Sequence, residues 1–300
     1  QRKSEQLASF IEVEQQNPLT ITSGKVSNDL EKWLNRQVLQ EGERLKNLMT
    51  KLWSGITWKT NHRVLVLSSN SLLWSLKPLR EVSEGGVVLA VSEDNHPRLL
   101  AEFEVLAPME RPVLIDSKVE SIKTLEDDHK FEIIGGRIPW KIFSDPNFSE
   151  LWPIITEKCT ANAELSLIIS NPCSGPAISL KERFEVDCNK QNSDFSLLND
   201  LICKEQSWLN NQDQKKKFIL QLEKLGWTIS LEEWSEFVYQ KVDNVTIQRW
   251  LNQGSVYREI ILNNWEEEKL IRLKKLFKRL DGRSIKQKII HTKFLAKKNN

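Results

Sequence analysis

Residues 63–67 read Arg63-Val64-Leu65-Val66-Leu67, and every position after the arginine is apolar. A strand with one wet face alternates polar and apolar residues. An unbroken, β-branched run of this length predicts a strand covered on both faces, as in a parallel sheet flanked by helices. Runs of the same kind recur at Val87–Val91, Val113–Ile115, Phe131–Ile134 and Leu165–Ile169. Stretches compatible with helix separate most of them: Leu72–Val82, Pro97–Leu106 and Ser149–Ala161. Gly85-Gly86 supplies the turn into the second strand. Strands alternating with helices at this spacing predict βαβ units, hence an α/β fold built on an open, doubly wound sheet.

Beyond the fifth strand the chain turns polar over Lys181–Ser193, then helical across Phe195–Gly226. Trp227–Val242 alternates as a long strand, Val245–Asn252 and Val256–Gly282 have helical spacing, and Ile285–Leu295 reads as a last strand. The expected sheet therefore has about seven strands, five parallel and an antiparallel pair at one edge. Ahead of it, Ser4–Glu14 and Asp29–Trp53 have helical periodicity; Leu30, Trp33, Leu34, Val38, Leu45, Leu48, Met49 and Leu52 form one apolar stripe of an amphipathic helix or helix pair. The division expected is a helical segment over residues 1–57 and a Rossmann-like domain over 58–300, ending in a basic helix and strand.

The 300 residues include 39% apolar and 28% charged side chains, a globular composition that excludes collagen and disorder. No apolar run approaches the roughly 18–20 residues a membrane span requires. Cys159, Cys173, Cys188 and Cys203 are well separated and form no CxxC. That spacing suits neither a zinc site nor a disulfide framework, and it points to a reducing cytoplasm. No signal peptide is evident and the chain opens on Gln1, so a piece of a longer polypeptide is expected. The net charge of +2 hides an asymmetry. From Lys269 to Asn300 there are twelve lysines and arginines and one acid, Asp281, which leaves the body of the chain at −9.

The strand and helix order resembles that of a class I S-adenosylmethionine-dependent methyltransferase. More particularly, Arg63-Val64-Leu65-Val66-Leu67, Leu73-Trp74-Ser75, Glu84-Gly85-Gly86-Val87, Glu110-Arg111-Pro112-Val113-Leu114-Ile115 and Thr246-Ile247-Gln248-Arg249-Trp250 look like a methyltransferase-like domain of cyanobacterial proteins. There it is fused behind an AAA+ ATPase associated with replication and recombination. The resemblance runs collinearly from about Trp58 to Leu295. It implies that ATPase as a partner in the same polypeptide; no GxxxxGK[ST] phosphate loop occurs within these 300 residues.

The resemblance also implies where a cofactor would lie. The loop after the first strand would cradle the methionine half of S-adenosylmethionine, and glycines there allow close backbone approach. Here it reads Ser68-Ser69-Asn70-Ser71, without glycine. Asn70 tolerates a left-handed backbone and the serines offer hydroxyls, yet each Cβ crowds the ligand's path. Glu93-Asp94 after the second strand would accept from the ribose hydroxyls, and Asp116 after the third from the adenine amine; both also read as ordinary solvent-facing or capping acids. After the fourth strand, an acid or amide with prolines would be expected in an enzyme acting on nitrogen. Gly135-Gly136-Arg137-Ile138-Pro139-Trp140 stands there instead. Arg137 and Trp140 remain candidates beside the cofactor, Trp140 as a stacking surface.

Two functions follow. In the first, the domain has lost turnover and serves as an interaction or nucleic-acid-contacting module. In the second, Ser68–Ser71, Glu93, Asp94 and Asp116 hold S-adenosylmethionine for transfer to an unidentified acceptor. No metal site is expected. His62, His96, His129 and His291 are scattered and read as surface or capping residues. For DNA, Lys274, Lys275, Lys278 and Arg279 alternate with apolar positions and share a helix face that can meet phosphates, or simply solvent. Lys286, Lys288 and Lys293 are expected to extend that patch.

Overall fold

A computed structural model describes residues 40–67, 71–104, 106–125, 130–139, 146–173, 175–187, 193–210, 212–253, 256–262 and 265–299. Ser4–Glu14 and the start of the Asp29–Trp53 stripe lie outside the described residues. The elements are α1 (Gln40–Trp53), β1 (Arg63–Leu67), α2 (Leu76–Glu81), β2 (Gly86–Val91), α3 (His96–Phe103), β3 (Val113–Asp116), α4 (Val119–Lys123), β4 (Phe131–Pro139), α5 (Pro146–Glu157) and β5 (Cys159–Pro172). They continue with α6 (Pro176–Asp187), α7 (Ser193–Leu209), α8 (Gln212–Lys224), β6 (Trp227–Lys241), α9 (Asn244–Leu251), α10 (Val256–Ile261), α11 (Glu267–Phe277) and β7 (Ser284–Lys298).

The seven strands form one sheet in the order β3-β2-β1-β4-β5-β7-β6. β1 pairs in parallel with β2 (Val64 beside Val87) and with β4 (Val66 beside Gly135), β2 with β3, and β4 with β5. The reversal of direction belongs to β7: Cys173 N–H reaches Lys288 near the top of β5, whereas Lys298 reaches the carbonyl of Cys159 at its start. β6 and β7 are likewise tied from Gly226–Asn299 at one end to Val242–Arg283 at the other. An α/β sheet of five parallel strands with an antiparallel pair beyond them is what the sequence predicts. Val64, Leu65 and Val66 are fully buried, as a centrally placed parallel strand requires.

Two compact units divide the described chain. One, the sheet unit, holds residues up to Ser170 with Asp213–Glu233 and the last strand from Thr292 onward. Its core includes Leu65, Ile134, Leu165 and Leu167 from the strands with Trp152 from α5 and Phe218 from α8. Phe148, Trp152, Phe218 and Phe294 contact one another at ring separations of 5.2–5.5 Å, most of them edge to face. The other, the helical unit, holds Asn171–Gln212 and Trp234–His291. There Leu198, Leu201, Val242, Ile247, Leu273 and Phe277 form the core.

Glu205 organises the helical unit from inside. It is fully buried, and its carboxylate accepts from Ala177 N–H (2.9 Å), from Ile178 N–H (3.0 Å) and from the Tyr257 hydroxyl. These are N–H groups of the first turn of α6, which no helical carbonyl can satisfy. Gly175 has no Cβ because that atom would stand 2.3 Å from the Glu205 carboxyl carbon.

Candidate functional site

In a sheet of this order, ligands are held at the carboxyl ends of the strands near the point where the strand order reverses, here β1 and β4. Ser68, Ser69, Asn70 and Trp140 lie outside the described residues. Ser71 is buried, and its hydroxyl accepts from Leu73 N–H at 3.2 Å, capping the 3-10 turn that leads into α2. The next donor of that turn, Leu72 N–H, is taken at 2.9 Å by the carboxylate of Glu102, a buried acid on α3. Burial raises the Glu102 pKa, while Leu72 N–H and the Arg98 guanidinium 3.4 Å away oppose the rise.

Glu93 opens a short 3-10 turn after β2, and Asp116 is the last residue of β3, beside Val91. The structure brings these two acids to one cation. Lys118 Nζ stands 2.8 Å from Asp116 and 3.1 Å from Glu93. Hydrogen bonds to Asp116 and then to Glu93 hold the Lys118 ammonium protonated above the usual lysine range. Lys118 and Glu93 are exposed, so the contact is weak in energy, but it supplies both acids with an internal counterion. Asp94 is exposed on the same turn.

Residues 135–139, expected in the loop after the fourth strand, belong to β4 itself. The apolar run stops at Ile134, but β4 pairs with β5 through Arg137–Ile168 and Pro139–Ser170, which carries it past the glycines. Both glycines answer to packing. A Cβ on Gly136 would stand 2.3 Å from the Leu67 carbonyl oxygen of β1, and one on Gly135 would stand 2.3 Å from the indole of Trp53. Trp53, at the end of α1, is buried and donates from Nε1 to the Trp74 carbonyl at 3.0 Å. The Arg137 guanidinium rests 5.4 Å from the centre of the Trp74 ring, and its Nε donates to Ser170 Oγ at 3.3 Å. Arg137 therefore joins this tryptophan layer, not a free loop.

The basic residues of the C-terminal region separate into different roles. Leu270, Leu273, Leu276, Phe277 and Leu280 are buried, and Lys274, Lys275, Lys278 and Arg279 are exposed, the face the spacing predicts. Lys293 does not extend it. It is buried, and its ammonium donates to the carbonyl and hydroxyl of Ser54 at 2.7 and 2.8 Å. His291 also departs from the surface role expected of it. It is fully buried, stacked on Trp234 at 5.2 Å and 2.8 Å from Glu236. Among the described residues no cluster of three or more metal-ligating side chains occurs, and no helix is long and apolar enough to cross a membrane.

Lys118 and Glu102 were not among the residues the sequence picked out, whereas Trp53, read there as a core tryptophan, is buried as expected. Glu102 alone carried a local signal: it shares the buried stripe of α3 with Leu99 and Phe103, an unusual place for an acid without a partner.

Strand order, parallel register and the antiparallel β7 together define the class I methyltransferase fold. Several solved structures are similar to this chain. A Bacillus halodurans protein assigned as a methyltransferase is 12% identical, covering 86% of this chain and 100% of its own, with a TM-score of 0.48. The YcgJ protein of Bacillus subtilis is 11% identical over 86% and 99%, also with a TM-score of 0.48. A Haemonchus contortus phosphoethanolamine N-methyltransferase, solved with S-adenosyl-L-methionine, is 14% identical over 86% of this chain and 53% of its own, at 0.43. No protein-family profile and no curated protein matches the chain.

Proposed function

We propose that this chain is a methyltransferase-fold domain that does not turn over S-adenosylmethionine and instead serves as a nucleic-acid-contacting module of a replication and recombination AAA+ ATPase. The ATPase rests on the resemblance of the sequence motifs. The loss of turnover rests chiefly on one observation, the first loop Ser68-Ser69-Asn70-Ser71, where no glycine lets the backbone approach a ligand closely. The exposed Lys118 ammonium shared by Glu93 and Asp116 adds to it. The carboxylates that would take the ribose and adenine of the cofactor already hold a cation of the chain's own. Two β4 glycines occupied by packing point the same way. The residues present therefore fit the cofactor poorly. The exposed Lys274, Lys275, Lys278 and Arg279 support contact with phosphates.

Calorimetric titration with S-adenosylmethionine and S-adenosylhomocysteine tests the first part. Folded protein giving no heat at millimolar ligand is the expected result. Micromolar binding that Glu93→Ala weakens would overturn it and restore an active methyltransferase. For the second part, charge reversal of Lys274, Lys275 and Lys278 to Glu should abolish a salt-sensitive shift in DNA mobility. An unchanged shift would remove that helix face from the interaction.

A further inference from the structure

Within the helical unit, β6 and β7 form a two-stranded ribbon whose two faces differ sharply. Side chains alternate between faces along a strand. In one phase Trp234 and Glu236 both turn to the buried His291, and Ile285 of β7 enters the core with Leu273, Leu276 and Phe277 of α11. In the other phase Ser235, Phe237, Tyr239 and Lys241 are all exposed. Phe237 is 55% and Tyr239 66% accessible, unusual for two neighbouring aromatics on a strand that ends its sheet. The Lys286 ammonium lies 3.9 Å from the Phe237 ring centre, which places Lys286 on the aromatic face, and alternation adds Lys288. Both are exposed, and no acid falls in this phase between Ser235 and Lys241 or between Ser284 and Lys288.

We propose that this face is a stacking platform for single-stranded nucleic acid, with Phe237 and Tyr239 carrying bases and Lys241, Lys286 and Lys288 meeting phosphates. The chemistry is that of such platforms: aromatic rings for the π faces that every base has, and cations along the backbone. Duplex is disfavoured by geometry. Alternate residues of a strand lie roughly 6.8 Å apart, about twice the 3.4 Å rise of stacked bases. The two rings therefore suit bases splayed from one another, as only an unpaired strand presents them. Because Ile285 points into the core beneath α11, Lys286 and Lys288 project away from that helix, and the platform is distinct from the Lys274, Lys275, Lys278 and Arg279 face.

This inference rests on the nucleic-acid reading above and specifies the ligand. It is tested by fluorescence anisotropy of the full chain with labelled oligothymidylate and with a duplex of equal length, over a salt series. Replacing either ring, as Phe237→Ala or Tyr239→Ala, should weaken binding to the single strand about five- to a hundredfold and leave the duplex signal unchanged. Tyr239→Trp should retain binding, and Lys286→Glu with Lys288→Glu should flatten the salt dependence. Single-strand binding equal to wild type in both ring variants would overturn the platform, and if Lys274, Lys275 and Lys278 reversal then abolished binding, the broader reading would survive. Absence of binding to either probe by wild type at low salt would overturn both.

Discussion

Gly135→Ala separates two reasons for the glycines of β4. If they leave room for a ligand, alanine will alter ligand binding and little else; if they leave room for Trp53, alanine will destabilise the fold. The added Cβ would meet Cζ3 and Cη2 of the indole at 2.3 and 2.4 Å and the Ser166 carbonyl oxygen at 3.1 Å. Ordinary contact between carbons begins near 3.5 Å, so the ring would have to retreat by about 1.2 Å. It is poorly placed to do so: 1% exposed, tied by Nε1 to the Trp74 carbonyl at 3.0 Å and packed edge-on to Trp58 at 5.5 Å. Overpacking of this kind costs about 1–3 kcal/mol, and giving up a buried hydrogen bond adds about 1–3 kcal/mol. A loss of roughly 2–6 kcal/mol is expected on the same grounds, read as a lower midpoint in urea unfolding followed by circular dichroism. Trp53→Phe removes the carbons that clash, so the double variant should be at least about 1 kcal/mol more stable than the single changes sum to. A Gly135→Ala protein within about 0.5 kcal/mol of wild type, or strict additivity with Trp53→Phe, would refute the packing argument.

Three further outcomes follow from buried or capping groups. Glu205→Ala orphans Ala177 N–H, Ile178 N–H and the Tyr257 hydroxyl together and should cost about 3 kcal/mol or more in chemical unfolding. Burial raises the Glu205 pKa above the usual 4.5, so the stability it confers is complete below 4.5 and is lost as pH rises through the folded value; Glu205→Gln should flatten that fall. The Cys159 thiol donates to the Ile155 carbonyl at 2.9 Å and burial pushes its pKa up to about 12, so a thiol reagent should label exposed Cys203 in the native state and Cys159 only after unfolding. Asp243 caps α9 by accepting from Thr246 N–H at 2.7 Å; Asp243→Ala should cost about 1 kcal/mol and Asp243→Asn only a few tenths.

The parallel strands were legible because burial on both faces leaves an unbroken apolar run, and Val64–Leu67 carries that signature undiluted. The ends of β4 and β5 were not, because Arg137 and Ser170 extend a ladder through main-chain pairing that side-chain polarity does not report. The acids at the strand ends were found from their position after each run. Their partner Lys118 was not, since a lysine in a turn carries no periodic signal and its meaning depends on where two other strands finish. Contacts such as Trp53 on Gly135 and Lys293 on Ser54 join residues far apart in sequence, and no local pattern announces them. His291 illustrates the converse. A lone histidine in an alternating strand looks like a surface residue until Trp234 and Glu236 of the neighbouring strand close over it.

The place of β7 has a consequence for how the chain comes off the ribosome. It is the last strand in sequence, yet it lies between β5 and β6. After Lys241 is made, 42 residues intervene before Ser284, several seconds at roughly 5–20 residues per second. Until β7 follows, β5 and β6 lack the strand that lies between them, and the main-chain donors and acceptors on those edges have no ladder partner. Such edges recruit whatever extended segment arrives first, including the β7 of an adjacent nascent copy on the same message. Translation speed across the α9–α11 region is thus a variable that should govern the yield of correctly closed sheet, and slowing it should favour exchanged-strand dimers over monomer.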